Sequence, residues 1–138
     1  APVSKRGARL TPTGWAVHPE GLYETLQWAR NRYGDHEFYV TENGAACDET
    51  HMPRERELSD TYRLEYLRDH FVAAHRAIQE GIRLKGFQVW SLMDNFEWAA
   101  GYRARCGIVY TDFQTQQRTL KASAKWYSRV IAANAVEA

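Results

Sequence analysis

Cysteine is scarce in this chain. Cys47 and Cys106 are the only two in 138 residues, too few for a disulfide framework. Charge of one sign is also lacking: 18 Lys and Arg stand against 17 Asp and Glu, leaving +1. That balance excludes nucleic-acid or membrane-surface binding driven by net charge. Arg103 and Arg105 are too small a basic cluster to change this, so no nucleic-acid partner is expected. No apolar run approaches the roughly 18 residues of a membrane span. Residues 1–10, with Lys5, Arg6 and Arg9, lack the apolar centre of a signal peptide, so a cytoplasmic location is the default expectation. No glycine-rich phosphate loop occurs, and the Gly101 to Gly107 stretch does not make one. Cys47 and His51 have plausible metal spacing but no second pair, so neither a metal nor a cofactor is expected.

What the chain does have is aromatics, 13% of residues, including five Trp and eight Tyr, within a 44% hydrophobic content typical of a packed domain. Residues 1–138 read as one segment, without repeat, linker or low-complexity tract. Pro19 opens a helix carrying Leu22, Leu26 and Ala29, and Gly34 stops it. Residues 38–41 read as a strand ending in the turn-forming Asn43-Gly44. A polar loop over residues 44–59 is long for a compact domain, a sign of function. Ser59 or Asp60 can cap a second helix with Leu64, Leu67, Phe71, Ala74 and Ile78 on its apolar face, ended by Gly81. His70 and His75, five apart on that helix, are expected to be solvated. A buried strand follows over residues 86–92. After it come an irregular segment to residue 106, a short β piece at residues 108–110, a polar turn, and a last helix over about residues 120–133.

Strand, crossover helix, strand implies parallel pairing. Two parallel strands alone leave both sheet edges bare, so the order predicts a piece of a larger α/β sheet or barrel. Ligands of such folds bind at the carboxyl ends of the strands. Those ends carry Glu42 and, after the second strand, Asp94 and Glu97 among Trp90, Phe96 and Trp98. Carboxylates beside aromatic rings suit sugars, whose C–H faces stack while their hydroxyls hydrogen-bond. Spacing alone leaves other readings open. Glu42 can be a solvated turn residue, Trp90 a core residue, and Asp94 or Glu97 a surface partner of Arg103 or Arg105.

Val40-Thr41-Glu42-Asn43-Gly44 resembles the nucleophile motif of glycoside hydrolase family 1, the β-glucosidase family. Trp90-Ser91-Leu92-Met93-Asp94-Asn95-Phe96-Glu97-Trp98, then Gly101-Tyr102 and Gly107-Ile108-Val109-Tyr110, resembles a second hallmark segment. Gly14-Trp15, Pro19-Glu20-Gly21-Leu22, Arg118 and Lys125-Trp126-Tyr127 extend the likeness along nearly the whole chain. The resemblance implies the C-terminal portion of a (β/α)8 barrel, about strands seven and eight with their helices. It further implies retaining hydrolysis of β-glucosides or cello-oligosaccharides, with Glu42 as nucleophile.

In the family the acid/base is the Glu of an Asn-Glu-Pro motif on strand four, and this sequence has none. The residue matching Glu97 instead grips sugar hydroxyls, assisted by Trp98, while Trp90 stacks on the ring. Cys106 stands where the family usually has a Phe walling the sugar pocket. The Glu97-Trp98 pair favours unphosphorylated sugars. The implied partner is the remaining N-terminal part of the barrel, and the isolated chain is expected to be inactive. A non-catalytic sugar-binding module and a self-associating barrel fragment are the alternatives.

Overall fold

The computed structural model describes residues 9–47 and 58–136. Proline fixes the first-turn geometry of α1 (Pro19–Tyr33), and Gly34 ends the helix at φ 102°, its N–H bonded to the Arg30 carbonyl at 2.9 Å. Glu20 in the first turn and Arg30 and Arg32 in the last complement the helix dipole. β1 (Phe38–Asn43), α2 (Thr61–Gln79) and β2 (Leu84–Val89) follow. β1 and β2 pair in parallel, with Phe38 opposite Leu84 and Asn43 opposite Val89. Among the described residues that sheet has two strands, so its outer edges are bare, as the strand arithmetic predicts.

Helices cover one face of the pair. Tyr23 and Leu26 of α1 meet Ala73 and Ala77 of α2, with Ile82, Phe38 and Leu84 packed against them. Tyr66 and Leu67 of α2 form a second cluster with Ala45, Ile108, Val109 and Ala124. On the opposite face Tyr39, Thr41 and Gln88 are exposed.

Beyond β2 the chain runs irregularly through a single 3₁₀ turn (Trp98–Ala100). It returns as a hairpin of β3 (Val109–Thr111) and β4 (Arg118–Leu120), then enters α3 (Ala122–Ala133). The expected polar turn over residues 112–118 is the tip of that hairpin. There Asp112 Oδ1 accepts from the N–H groups of Gln114 and Thr115 at 2.9 and 3.0 Å.

Two glycines are demanded by close approach. A Cβ on Gly44 would fall 1.7 Å from the Trp90 carbonyl oxygen, and one on Gly107 would fall 2.1 Å from the Asp94 nitrogen. Each lets the chain cross another backbone beneath the functional rim.

Four expectations are corrected. The second strand begins and ends earlier, at Leu84 and Val89, and Leu120 belongs to β4 rather than to α3. The buried stripe of α2 is Arg63, Tyr66, Leu67, His70, Ala73, Ala74 and Ala77, while Ile78 is exposed. Apolar periodicity misses this stripe because two of its members are charged or titratable and are buried only by virtue of their partners. His70 is therefore not solvated: Nδ1 bonds the Tyr66 carbonyl oxygen at 2.7 Å and its ring stacks on Tyr66 at 4.0 Å. His75 is exposed, as expected. Most of the 44–59 loop, His51 included, lies outside the described residues.

Candidate active site

Glu42 stands next to last in β1 and is exposed. Strict alternation would put Glu42 on the face of Val40, but the β1–β2 register is irregular between Val40 and Asn43, and Thr41 and Glu42 are both exposed at the carboxyl end of the sheet. Just beyond, the Trp90 N–H bonds the Asn43 carbonyl at 2.9 Å and continues the β1–β2 ladder. The Trp90–Ser91 peptide is cis. Glu42 and Trp90 thus leave adjacent strand ends.

Both border a cavity of about 590 Å³ with Glu97, Trp98 and Cys106. Glu42, Trp90, Glu97, Trp98 and Cys106, the residues singled out by the family resemblance, all border this one space, whereas Asp94 and Phe96 do not. Trp90 Nε1 donates to Glu97 Oε1 at 3.2 Å. The Glu97 N–H bonds the Gly101 carbonyl at 2.8 Å, fixing the tight turn on which Trp98 projects with 84% of its surface free. Among the described residues no hydrogen bond or ion pair reaches the Glu42 carboxylate. Asn43 Oδ1 also lines the space, buried and without a partner there, an acceptor left for a ligand hydroxyl.

Burial, reinforced by the neighbouring Glu97 carboxylate, pushes the Cys106 thiol up to about 12. The cavity wall beside Glu97 is therefore a neutral S–H at any physiological pH.

Asp94 does not share the rim with Glu97. It is buried, receiving Lys121 Nζ at 2.9 Å, Arg105 Nη1 at 2.7 Å and the Gly107 N–H at 3.0 Å. A carboxylate with three such donors is a fastening under the site, not a ligand for substrate.

The sequence reading missed Thr11, Thr13 and Trp15, which close one side of the cavity. Thr11 Oγ1 accepts from the Trp15 N–H at 3.0 Å, in a turn where Gly14 adopts φ 84°. The Gly14-Trp15 pair was visible, but nothing local shows that its turn folds back over Glu42. Tyr66, a core residue of α2, also reaches the cavity beside Asn43. Among the described residues no group of three metal-ligating side chains exists, and no helix is long and apolar enough to cross a membrane.

A parallel βαβ pair with bare edges, helices on one face, and carboxylates and indoles on the carboxyl-end rim defines a portion of a (β/α)8 barrel. The profile of Glycosyl hydrolase family 1 matches residues 3–136. The chain belongs to that family. It is 48% identical over 133 residues to Beta-glucosidase A of Thermotoga maritima, covering 96% of this chain and 30% of that protein. It is 45% identical over 125 residues to a bifunctional beta-D-glucosidase/beta-D-fucosidase of Bifidobacterium breve, covering 88% of this chain and 27% of the other. A solved family 1 β-glucosidase of Thermotoga maritima superposes with a TM-score of 0.92 at 46% identity, covering 98% of this chain and 30% of that one. The chain thus spans less than a third of the length of these relatives.

Proposed function

We propose that this chain supplies the nucleophile and the glycone floor of a retaining β-glycosidase acting on terminal β-glucosyl residues. The single observation carrying this reading is that Glu42, with no protein partner among the described residues, shares one cavity with the hydrogen-bonded Trp90–Glu97 pair.

The Glu42 carboxylate attacks the anomeric carbon as the glycosidic C–O bond breaks, giving a covalent glycosyl-enzyme through an oxocarbenium-like transition state. The departing oxygen takes a proton from a second carboxylic acid. Water then attacks the same carbon, losing its proton to that second group, and Glu42 leaves as carboxylate. Retaining geometry requires the two carboxyl groups to lie ~5–5.5 Å apart.

Glu97 is not that second group. Its carboxylate is engaged by the Trp90 indole and stands beside the Cys106 thiol, an arrangement suited to holding sugar hydroxyls. Trp90 and Trp98 offer ring faces, Asn43 offers a free acceptor, and Cys106 adds a small neutral wall. The acid/base belongs to the remainder of the barrel, which the bare edges of the β1–β2 sheet accommodate. The Glu97-Trp98 pair favours an unphosphorylated sugar.

Hydrolysis of a nitrophenyl β-glucoside tests this. The chain completed by the missing barrel strands is expected to turn over and to lose that rate with Glu42→Gln. The 138-residue chain alone is expected to show no rate above background. Turnover by the chain alone, or turnover surviving Glu42→Gln, contradicts the proposal.

A further inference from the structure

Arg63 is fully buried, the least expected location for a guanidinium, and it lies outside the cavity. Three of its contacts lie among the described residues. Nε bonds the carbonyl of Ala45, three residues beyond Glu42, at 3.1 Å. Nη2 bonds the carbonyl of Arg105, the residue before Cys106. Nη1 meets the Asp60 carboxylate, itself buried. Asp60 stands at the N-cap of α2 but does not cap it. Its carboxylate accepts instead from the Ser123 N–H at 2.8 Å and from the Ser123 hydroxyl, at the start of α3.

One rigid planar fork thus joins two loops that leave different strands, and anchors both to the starts of two helices. The loops are also joined directly by an isolated bridge, where the Cys47 N–H bonds the Arg105 carbonyl at 3.1 Å. The same Arg105 carbonyl therefore accepts from both Cys47 and Arg63. One loop begins at the Glu42 strand end, and the other carries Cys106 against Glu97.

Resting on the proposed role of Glu42, we infer that Arg63 is a positioning residue for the reaction: it sets where the nucleophile stands relative to the glycone floor. A nucleophile displaced by about 1 Å from its attack geometry can cost on the order of 10²-fold in rate while the sugar still binds. A lysine at this position keeps a charge for Asp60 but, as a single point donor, does not span both carbonyls.

The test compares wild type with Arg63→Lys in two ways. In the 138-residue chain, amide hydrogen exchange is followed at Cys47, which reports the loop-to-loop bridge, and at Phe38, whose N–H bonds Arg83 across the base of the sheet at 3.0 Å. Exchange at Cys47 is expected to rise at least about tenfold in Arg63→Lys, with Phe38 changed less than about threefold. In the completed barrel, kcat per active site, counted by fluoroglycoside titration, is expected to fall about 10- to 100-fold with KM within about threefold. Equal acceleration at both amides, or none, overturns the fastening role. An unchanged kcat per titrated site overturns the positioning role and leaves Arg63 a stability residue only. A wild-type barrel that cannot be titrated overturns the reading of Glu42, and the catalytic half of this inference with it, while the exchange result still decides whether Arg63 joins the loops.

Discussion

Trp90 Nε1 and Glu97 Oε1 lie 3.2 Å apart, so an indole leaving one strand end fixes a carboxylate seven residues further along. On the proposed role of Glu97, that contact sets its oxygens before a sugar binds, and preorganisation of this kind lowers the cost of binding. Trp90→Phe keeps a ring face and removes the donor. A hydrogen bond to a charged group contributes about 1.5–3 kcal/mol, so kcat/KM of the completed enzyme is expected to fall about 10- to 100-fold. Steady-state kinetics on a β-glucoside check it, and an unchanged kcat/KM would mean that the contact does not position Glu97.

Cys106 borders the cavity yet is expected to resist alkylation. With its thiol pushed up to about 12, the thiolate fraction at pH 8 is about 10⁻⁴, roughly a thousandfold below that of an ordinary cysteine. Peptide-resolved iodoacetamide labelling is expected to leave Cys106 intact over hours. Rapid labelling at pH 8 would show that the cavity wall carries a thiolate.

His70 makes stability depend on pH. Burial lowers its pKa below the ordinary 6.5, so the unfolded chain binds a proton that the folded chain does not. The stabilising contribution is therefore complete above about pH 6.5 and is lost as pH falls toward the lower folded value, with a limiting slope of about 1.4 kcal/mol per pH unit. Urea midpoints at pH 7.5 and 5.5 are expected to differ more for wild type than for His70→Gln. Equal differences would place the titration elsewhere.

Asp94 and Lys121 are buried without exposed side-chain surface, 2.9 Å apart. Removing Lys121 leaves the buried Asp94 carboxylate with Arg105 as its remaining cation, a loss of up to about 3–5 kcal/mol. Lys121→Met is expected to lower the urea midpoint more than any change at the exposed Arg83–Glu37 pair, which is worth at most about 1 kcal/mol. A Lys121→Met midpoint equal to wild type would show that Arg105 and the backbone N–H groups of Gly107 and Thr111 satisfy Asp94 without Lys121.

The outline of the fold is legible because its signals are local. Pro19 and Gly34 bracket α1, Asn43-Gly44 ends β1, and a helix between two short apolar runs forces parallel pairing. The rim residues are legible for the same reason: Glu42 and Trp90 sit at strand ends, Glu97 lies in the segment after the second, and their motifs carry the family likeness. What escapes is set by contacts distant in sequence. Arg63 carries no local signal of burial, because Ala45, Arg105 and Asp60 meet it only in the fold. Asp94 reads as a rim carboxylate until Lys121 arrives from 27 positions away. Asp60 suits a helix cap, and it does serve one, but at α3 rather than at the helix it precedes.

The central claim is that Glu42 forms a covalent bond to the sugar. A 2-deoxy-2-fluoro-β-glucoside with an activated leaving group slows both steps but deglycosylation most, so the intermediate accumulates. Intact mass and peptide mapping of the completed barrel then show which carboxylate carries the sugar. One label per molecule, on the peptide holding Thr41-Glu42-Asn43 and absent in Glu42→Gln, is the predicted result. A label on Glu97, or a label that survives Glu42→Gln, would contradict the account.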